Sequence, residues 1–254
     1  MNTQDSSTRP NGKPDAVYTY GSHPDQLIDV HLPPRPLDSS DRAPVVVLLH
    51  GGFWRQEYDR THTRSFAQAV AAEGYVVMTP EYRRTGGDGG YPETFDDVTA
   101  AVAAVPEIES VAPGRADLDD VSLVGHSAGG HLAMWTALRP DAPRLRAVVA
   151  LAPVADLVDG YWRGLGDGAV ADLMGTSPHQ QPEIYAAADP AQLLQASTPT
   201  APITVIHGDQ DMAVPIESSR GLTGVDLVEL EGVDHFVLIQ PGSAAWPAVL
   251  AALR

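Results

Sequence analysis

Short apolar runs rich in β-branched residues alternate along the chain with longer segments that carry apolar residues at helical spacing. This alternation predicts a mostly parallel central sheet with helices on both faces, which is an α/β fold. The predicted parallel strands are residues 45–49, 75–78, 121–124, 147–151, 203–206 and 225–230. The predicted helices are residues 65–73, 96–105, 131–138 and 244–253.

Three segments depart from this rhythm. Residues 18–32 predict an antiparallel hairpin at the sheet edge, with its turn at residues 22–25. Residues 155–200 hold no clear strand but several short helical pieces, so they predict a small cap-like insertion over the strand ends within one domain, residues 18–254. Residues 1–17 are polar and rich in turn formers, and they predict a disordered tail.

Composition narrows the class of protein. The chain has 254 residues, 43% of them hydrophobic, which suits one domain with a large core. It has no cysteine, which excludes disulfides, thiolate zinc sites and a cysteine nucleophile. A net charge of −17 disfavours nucleic acid and anionic membranes as partners. Neither a signal-like run nor a membrane span is predicted, so we expect a cytoplasmic protein with a small-molecule substrate, whose oligomeric state stays open.

Residues 125–129 (GHSAG) match the G-x-S-x-G pattern between a predicted strand and a predicted helix. In that context the serine occupies a sharp strand-to-helix turn, and the flanking glycines remove side chains that would clash there. The turn exposes the hydroxyl beside the positive end of the helix. Ser127 is therefore the predicted nucleophile, and His126 beside it is predicted to contact substrate.

A serine hydroxyl needs a general base, and the base needs a carboxylate that orients it. His235 follows the last predicted strand, where the chain returns to the carboxyl edge of the sheet, and it is the predicted base. Asp209 and Asp211 both follow the strand at 203–206 and are candidates for the carboxylate. Asp234 would point away from its neighbour His235 in extended backbone.

An oxyanion hole is the remaining requirement. Residues 50–54 (HGGFW) follow a central strand and resemble the HGGG-type loop whose backbone amides face a developing alkoxide. We assign the donors to the amides of Gly52, Phe53 and Ala128, and we expect His50 to brace the loop. A metal site at Asp209, Asp211 and His207 is disfavoured, because it would leave the serine turn unexplained. We therefore predict neither metal nor cofactor.

With these residues assembled, the chain resembles the α/β-hydrolase superfamily from about residue 18 to its end. In hydrolases with the pattern H-G-x-x-D-x-x-V-P, the second aspartate faces the histidine. This resemblance assigns the carboxylate to Asp211 and leaves Asp209 to stabilise the turn. The resulting chain order, Ser127, Asp211, His235, is that of the α/β-hydrolases.

The loop HGGFW together with residues 125–130 (GHSAGG) resembles the kynurenine formamidase (arylformamidase) group. That resemblance implies hydrolysis of N-formylkynurenine in tryptophan catabolism, with Trp54 bracing the oxyanion loop or lining the pocket. Tyr161 and Trp162 could stack an aryl ring. Two alternatives are a carboxylesterase for short acyl esters and, from another class, a catalytically inactive binding module on a hydrolase scaffold.

Overall fold

A central eight-stranded sheet organises the computed structural model, which describes residues 12–34 and 41–254. The strands are β1 Ala16–Thr19, β2 Leu27–His31, β3 Ala43–Leu49, β4 Val76–Pro80, β5 Ala116–His126, β6 Ala147–Leu151, β7 Ile203–Gly208 and β8 Asp226–Leu230. Their order across the sheet is β1-β2-β4-β3-β5-β6-β7-β8. The pairings from β4 to β8 are parallel, and β1/β2 and β2/β4 are antiparallel. The α/β prediction, including the hairpin at the sheet edge, is confirmed.

The boundary of the predicted tail needs correction. Residues 1–11 lie outside the described residues, but residues 12–17 are part of the fold. Gly12 is buried, and its carbonyl oxygen lies 2.7 Å from Nε2 of the buried His31. Ala16 and Val17 already pair with the second strand. The polar composition of this stretch concealed an edge strand, whose outward side chains need not be apolar.

Helices cover both faces of the sheet. They are α1 Arg64–Ala72, α2 Glu93–Ala103, α3 Ala128–Leu138, α4 Leu157–Trp162, α5 Leu165–Met174, α6 Pro182–Ala188, α7 Pro190–Ala196, α8 Glu217–Arg220 and α9 Trp246–Leu253. Alternate residues of β3 enter opposite cores, with Val45 and Val47 on the side of α2 and α3, and Val46 and Leu48 on the side of α1 and α9. Among the described residues, no helix is long and apolar enough to cross a bilayer.

The segment 155–200 folds as the four helices α4 to α7 and contacts the loop that follows β3. A Cβ atom at Gly166 would lie 2.7 Å from the ring of Phe53, so the two already touch closely. Arg55 donates to the carbonyl oxygen of Asp167 at 2.9 Å. This part of the chain therefore packs against the predicted oxyanion loop at the carboxyl edge of the sheet.

Candidate active site

The carboxyl ends of the parallel strands meet at one edge of the sheet. Leu49 at the end of β3 pairs with Gly125 of β5, and Leu151 of β6 pairs with His126. On the other side, Gly208 of β7 pairs with Leu230 of β8. The segments that follow these strands carry the oxyanion loop, Ser127, Asp211 and His235, so the register gathers four distant parts of the sequence at one edge.

Ser127 stands at a strained turn between β5 and α3. Its φ of 56° and ψ of −118° lie outside the common regions for a residue with a side chain. The flanking glycines are sterically required: a Cβ at Gly125 would lie 2.1 Å from the carbonyl oxygen of Gly129. The helix starts at Ala128, three residues before the predicted start, because the turn leads into it directly. Such strain is typical of a side chain held for function.

Asp211 and His235 are joined by a short, buried side-chain hydrogen bond. Nδ1 of His235 donates to Oδ2 of Asp211 at 2.6 Å, and both side chains are almost fully buried. The other carboxylate oxygen accepts from the amides of Ala213 and Val214 at 2.9 and 2.8 Å. Burial alone would raise the pKa of Asp211, but the hydrogen bonds from His207 and His235 hold that pKa well below its usual range. Nε2 of His235 is thereby left as the proton acceptor that a general base needs.

His126 connects the serine turn to the loop of the base. Its Nε2 donates to the carbonyl oxygen of His235 at 3.0 Å, and the two rings lie 4.5 Å apart between centroids. Burial and the nearby His235 lower the pKa of His126 to about 3, so its ring is neutral. The sequence predicted a substrate contact here. The structure instead buries this ring as a support for the loop that carries the base.

The oxyanion loop passes directly beside the nucleophile. A Cβ at Gly51 would lie 3.1 Å from Cβ of Ser127. Gly52 and Phe53 adopt positive φ values of 111° and 50°, which turn the loop sharply here. Within residues 12–34 and 41–254, the amides of Gly52, Phe53 and Ala128 donate to no protein acceptor. Unused amides beside a nucleophile are what an oxyanion hole requires.

His50 anchors this loop from behind, as its expected bracing role requires. Its Nε2 lies 2.8 Å from Oε1 of Glu81, and both side chains are buried. Its Nδ1 lies 2.8 Å from the carbonyl oxygen of Gly51. The ring of Tyr82 stacks on the imidazole at 4.3 Å with an interplanar angle of 8°, and its hydroxyl donates to the His50 carbonyl oxygen at 2.7 Å.

Packing decides the position of one of the three predicted aromatic contacts. Trp54 is fully buried and meets the ring of His131 edge-on at 5.1 Å, so it braces the loop from inside and does not line a pocket. Tyr161 is half-buried between Trp162 and Tyr185, with centroid distances of 5.1 and 6.2 Å. Trp162 is 65% exposed. A substrate contact at Tyr161 or Trp162 stays a prediction.

Sequence reasoning missed two supporting residues. His207 lies one residue before the end of β7, with its Nε2 3.3 Å from Oδ2 of Asp211 and its Nδ1 2.7 Å from the hydroxyl oxygen of Ser219. Glu81 follows the end of β4 and pairs with His50. The available signal was position, because His207 lies near the carboxyl end of the strand that precedes Asp211, and Glu81 directly follows the strand beside β3.

Comparison with known sequences places the chain among esterase-like proteins. The BD-FAE family matches residues 28–225. Esterase LipC of Mycobacterium tuberculosis is 26% identical over 260 residues, covering 91% of this chain and 62% of LipC. The probable carboxylic ester hydrolase LipM of the same organism is 29% identical over 201 residues, covering 73% of this chain and 45% of LipM. The chain thus spans less than two thirds of the length of either relative.

Solved structures agree on the fold. A truncated carbohydrate esterase from gut microbiota superposes with a TM-score of 0.75 at 17% identity, covering 96% of this chain and 97% of that protein. Esterase B from Lactobacillus rhamnosis superposes with a TM-score of 0.74 at 22% identity, covering 94% of this chain and 84% of the esterase. At these identities the likeness concerns the α/β-hydrolase fold.

Proposed function

We propose that this chain, which belongs to the BD-FAE family, is a serine carboxylesterase that cleaves short acyl esters. The observation that carries the proposal is the 2.6 Å hydrogen bond between the buried His235 and Asp211, at the sheet edge where Ser127 occupies its strained turn. The names of relatives such as Esterase LipC support an ester as the substrate.

The reaction follows from the position of each group. The Ser127 hydroxyl attacks the acyl carbonyl while Nε2 of His235 takes its proton, and Asp211 stabilises the imidazolium that forms. The amides of Gly52, Phe53 and Ala128 receive the developing oxyanion. The proton then passes from His235 to the departing alkoxide, and a water molecule repeats the cycle on the acyl-enzyme to release the acid and restore Ser127.

An arylformamidase is the second candidate, supported by the HGGFW loop. The conformation of that loop makes the motif weaker evidence for a formamidase. Trp54 packs inward against His131, so its ring supports the loop in a way that either reaction can use. Because the named relatives are esterases, the ester reaction is the better supported of the two.

Kinetics separate the two reactions. We expect kcat/KM for p-nitrophenyl acetate to exceed that for N-formylkynurenine by at least about tenfold, a difference of about 1.4 kcal/mol in transition-state stabilisation. A higher kcat/KM for N-formylkynurenine than for p-nitrophenyl acetate would contradict the esterase proposal and support the formamidase.

Active-site labelling tests the catalytic assignment independently of the substrate. A fluorophosphonate probe should label the wild type and fail to label Ser127→Ala, whereas Ser122→Ala, which changes a buried serine within β5, should still be labelled. A wild-type chain that resists labelling and hydrolyses neither substrate would instead be an inactive binding module on this scaffold.

A further inference from the structure

The hydrogen bonds of His50 define its protonation state. The Gly51 carbonyl oxygen can only accept, so Nδ1, at 2.8 Å, must carry a proton. On the other side of the ring, Nε2 lies 2.8 Å from Oε1 of Glu81. If Glu81 is ionised, Nε2 must also carry a proton, and His50 is then an imidazolium cation.

The surroundings of Glu81 favour its ionised form. Its two carboxylate oxygens accept from the backbone amides of Tyr82 at 3.2 Å and Arg60 at 2.9 Å. The guanidinium of Arg84 lies 3.2 Å from Oε1, and that of Arg60 lies 3.6 Å from Oε2. Burial would raise the pKa of Glu81, but His50, Arg84 and the hydrogen bond from the Arg60 amide together lower it.

The other groups facing His50 accommodate a cation. Tyr82 presents its ring face to the imidazole, an arrangement that favours positive charge. His62 meets the ring edge-on at 5.7 Å between centroids, and burial followed by the proximity of His50 lowers the pKa of His62. The Asp59 carboxylate, which caps the turn at residues 60–63, also interacts electrostatically with His50 and adds negative charge near it.

One peptide unit links this charge to the oxyanion hole. The Gly51 carbonyl and the Gly52 N–H belong to the same planar trans peptide and point in opposite directions. A donor that holds the carbonyl on one side therefore orients the N–H on the other. A charged donor also polarises the peptide and strengthens the N–H as a donor in turn.

We propose that His50 is a buried imidazolium, paired with Glu81, that orients and polarises the Gly51–Gly52 peptide so that the Gly52 amide binds the oxyanion. His50 and Glu81 are thus positioning residues that act through a backbone amide. This inference rests on the proposed function for its catalytic part, whereas the charge of His50 is a property of the folded protein alone.

The charge can be measured directly in the wild-type protein. In ¹⁵N-labelled protein at pH 7.5, both ring nitrogens of His50, assigned through contacts with the Tyr82 ring, should show the chemical shifts of protonated nitrogens. A neutral tautomer with intact esterase activity overturns the inference and leaves the proposed function standing. If His50 is an imidazolium but the protein has no hydrolase activity, the charge assignment stands and the proposed function is overturned.

Kinetics of Glu81→Gln test the positioning role. The amide can still accept from His50 but supplies no charge, so we expect kcat to fall by about 10- to 100-fold with KM changed less than about threefold. Affinity for a trifluoromethyl ketone, which forms a tetrahedral adduct, should fall in parallel with kcat.

Asp97→Asn is the matched control. Asp97 lies on α2, and its buried carboxylate binds the guanidinium of Arg83 at 2.7 Å and does not contact His50. The substitution therefore neutralises a buried carboxylate at a distance from the oxyanion loop. Equal losses of kcat in the two variants, or an unchanged kcat in Glu81→Gln, would overturn the positioning role.

Discussion

Replacing His126 with glutamine should remove the pH-dependent contribution that His126 makes to the free energy of unfolding. Burial lowers the pKa of His126 from 6.5 to about 3 in the folded chain, so the unfolded chain binds this proton more readily. The contribution of His126 is therefore fully present above pH 6.5 and is lost as pH falls toward 3. Between pH 7 and pH 4 the linkage amounts to about 3 kcal/mol of unfolding free energy. Glutamine does not titrate and keeps an N–H donor for the His235 carbonyl.

The assay is urea unfolding of the wild type and the variant at half-unit steps from pH 7 to pH 4. We expect the stability advantage of the wild type to shrink by about 3 kcal/mol across this range. Other titrating groups, including the buried His131, act equally in both proteins and cancel in the difference. A difference that stays constant within about 0.5 kcal/mol would refute the assignment of His126 as a neutral buried ring.

Three further outcomes follow from the same contacts. Asp211→Asn places an amide against Nδ1 of His235, favours the wrong tautomer, and should lower kcat about 10⁴-fold with the fold intact by circular dichroism; a loss below tenfold would argue for another carboxylate. Burial raises the pKa of Asp189 to about 6, so its stabilising contribution disappears as pH rises from about 4 to 6, and Asp189→Asn should remove this dependence in pH-resolved unfolding. Gly129→Ala would place Cβ 2.0 Å from a backbone oxygen of β3 and should fail to fold, whereas at Gly221 the nearest atom is 3.7 Å away and alanine should be tolerated in the same thermal melt.

Much of this protein is determined by local pattern in its sequence. Strands and helices follow from hydrophobic periodicity, because burial on one or both faces is a property of neighbouring residues. The turn at Ser127 follows in the same way, since its flanking glycines avoid steric clashes that side chains there would make with nearby backbone atoms. Position directly after a predicted strand then limited the base to His235 and the carboxylate to Asp209 or Asp211, and the family resemblance chose Asp211.

Tertiary structure decided the roles of side chains that meet across strands. Trp54 and His126 have the residue types of substrate contacts, yet packing turned one onto His131 and the other toward the His235 loop. The pairing of His50 with Glu81 depends on two strands that are neighbours only in the folded sheet. A single sequence records the spacing of residues along the chain, whereas hydrogen bonds and charge depend on distances through space, which the fold alone sets.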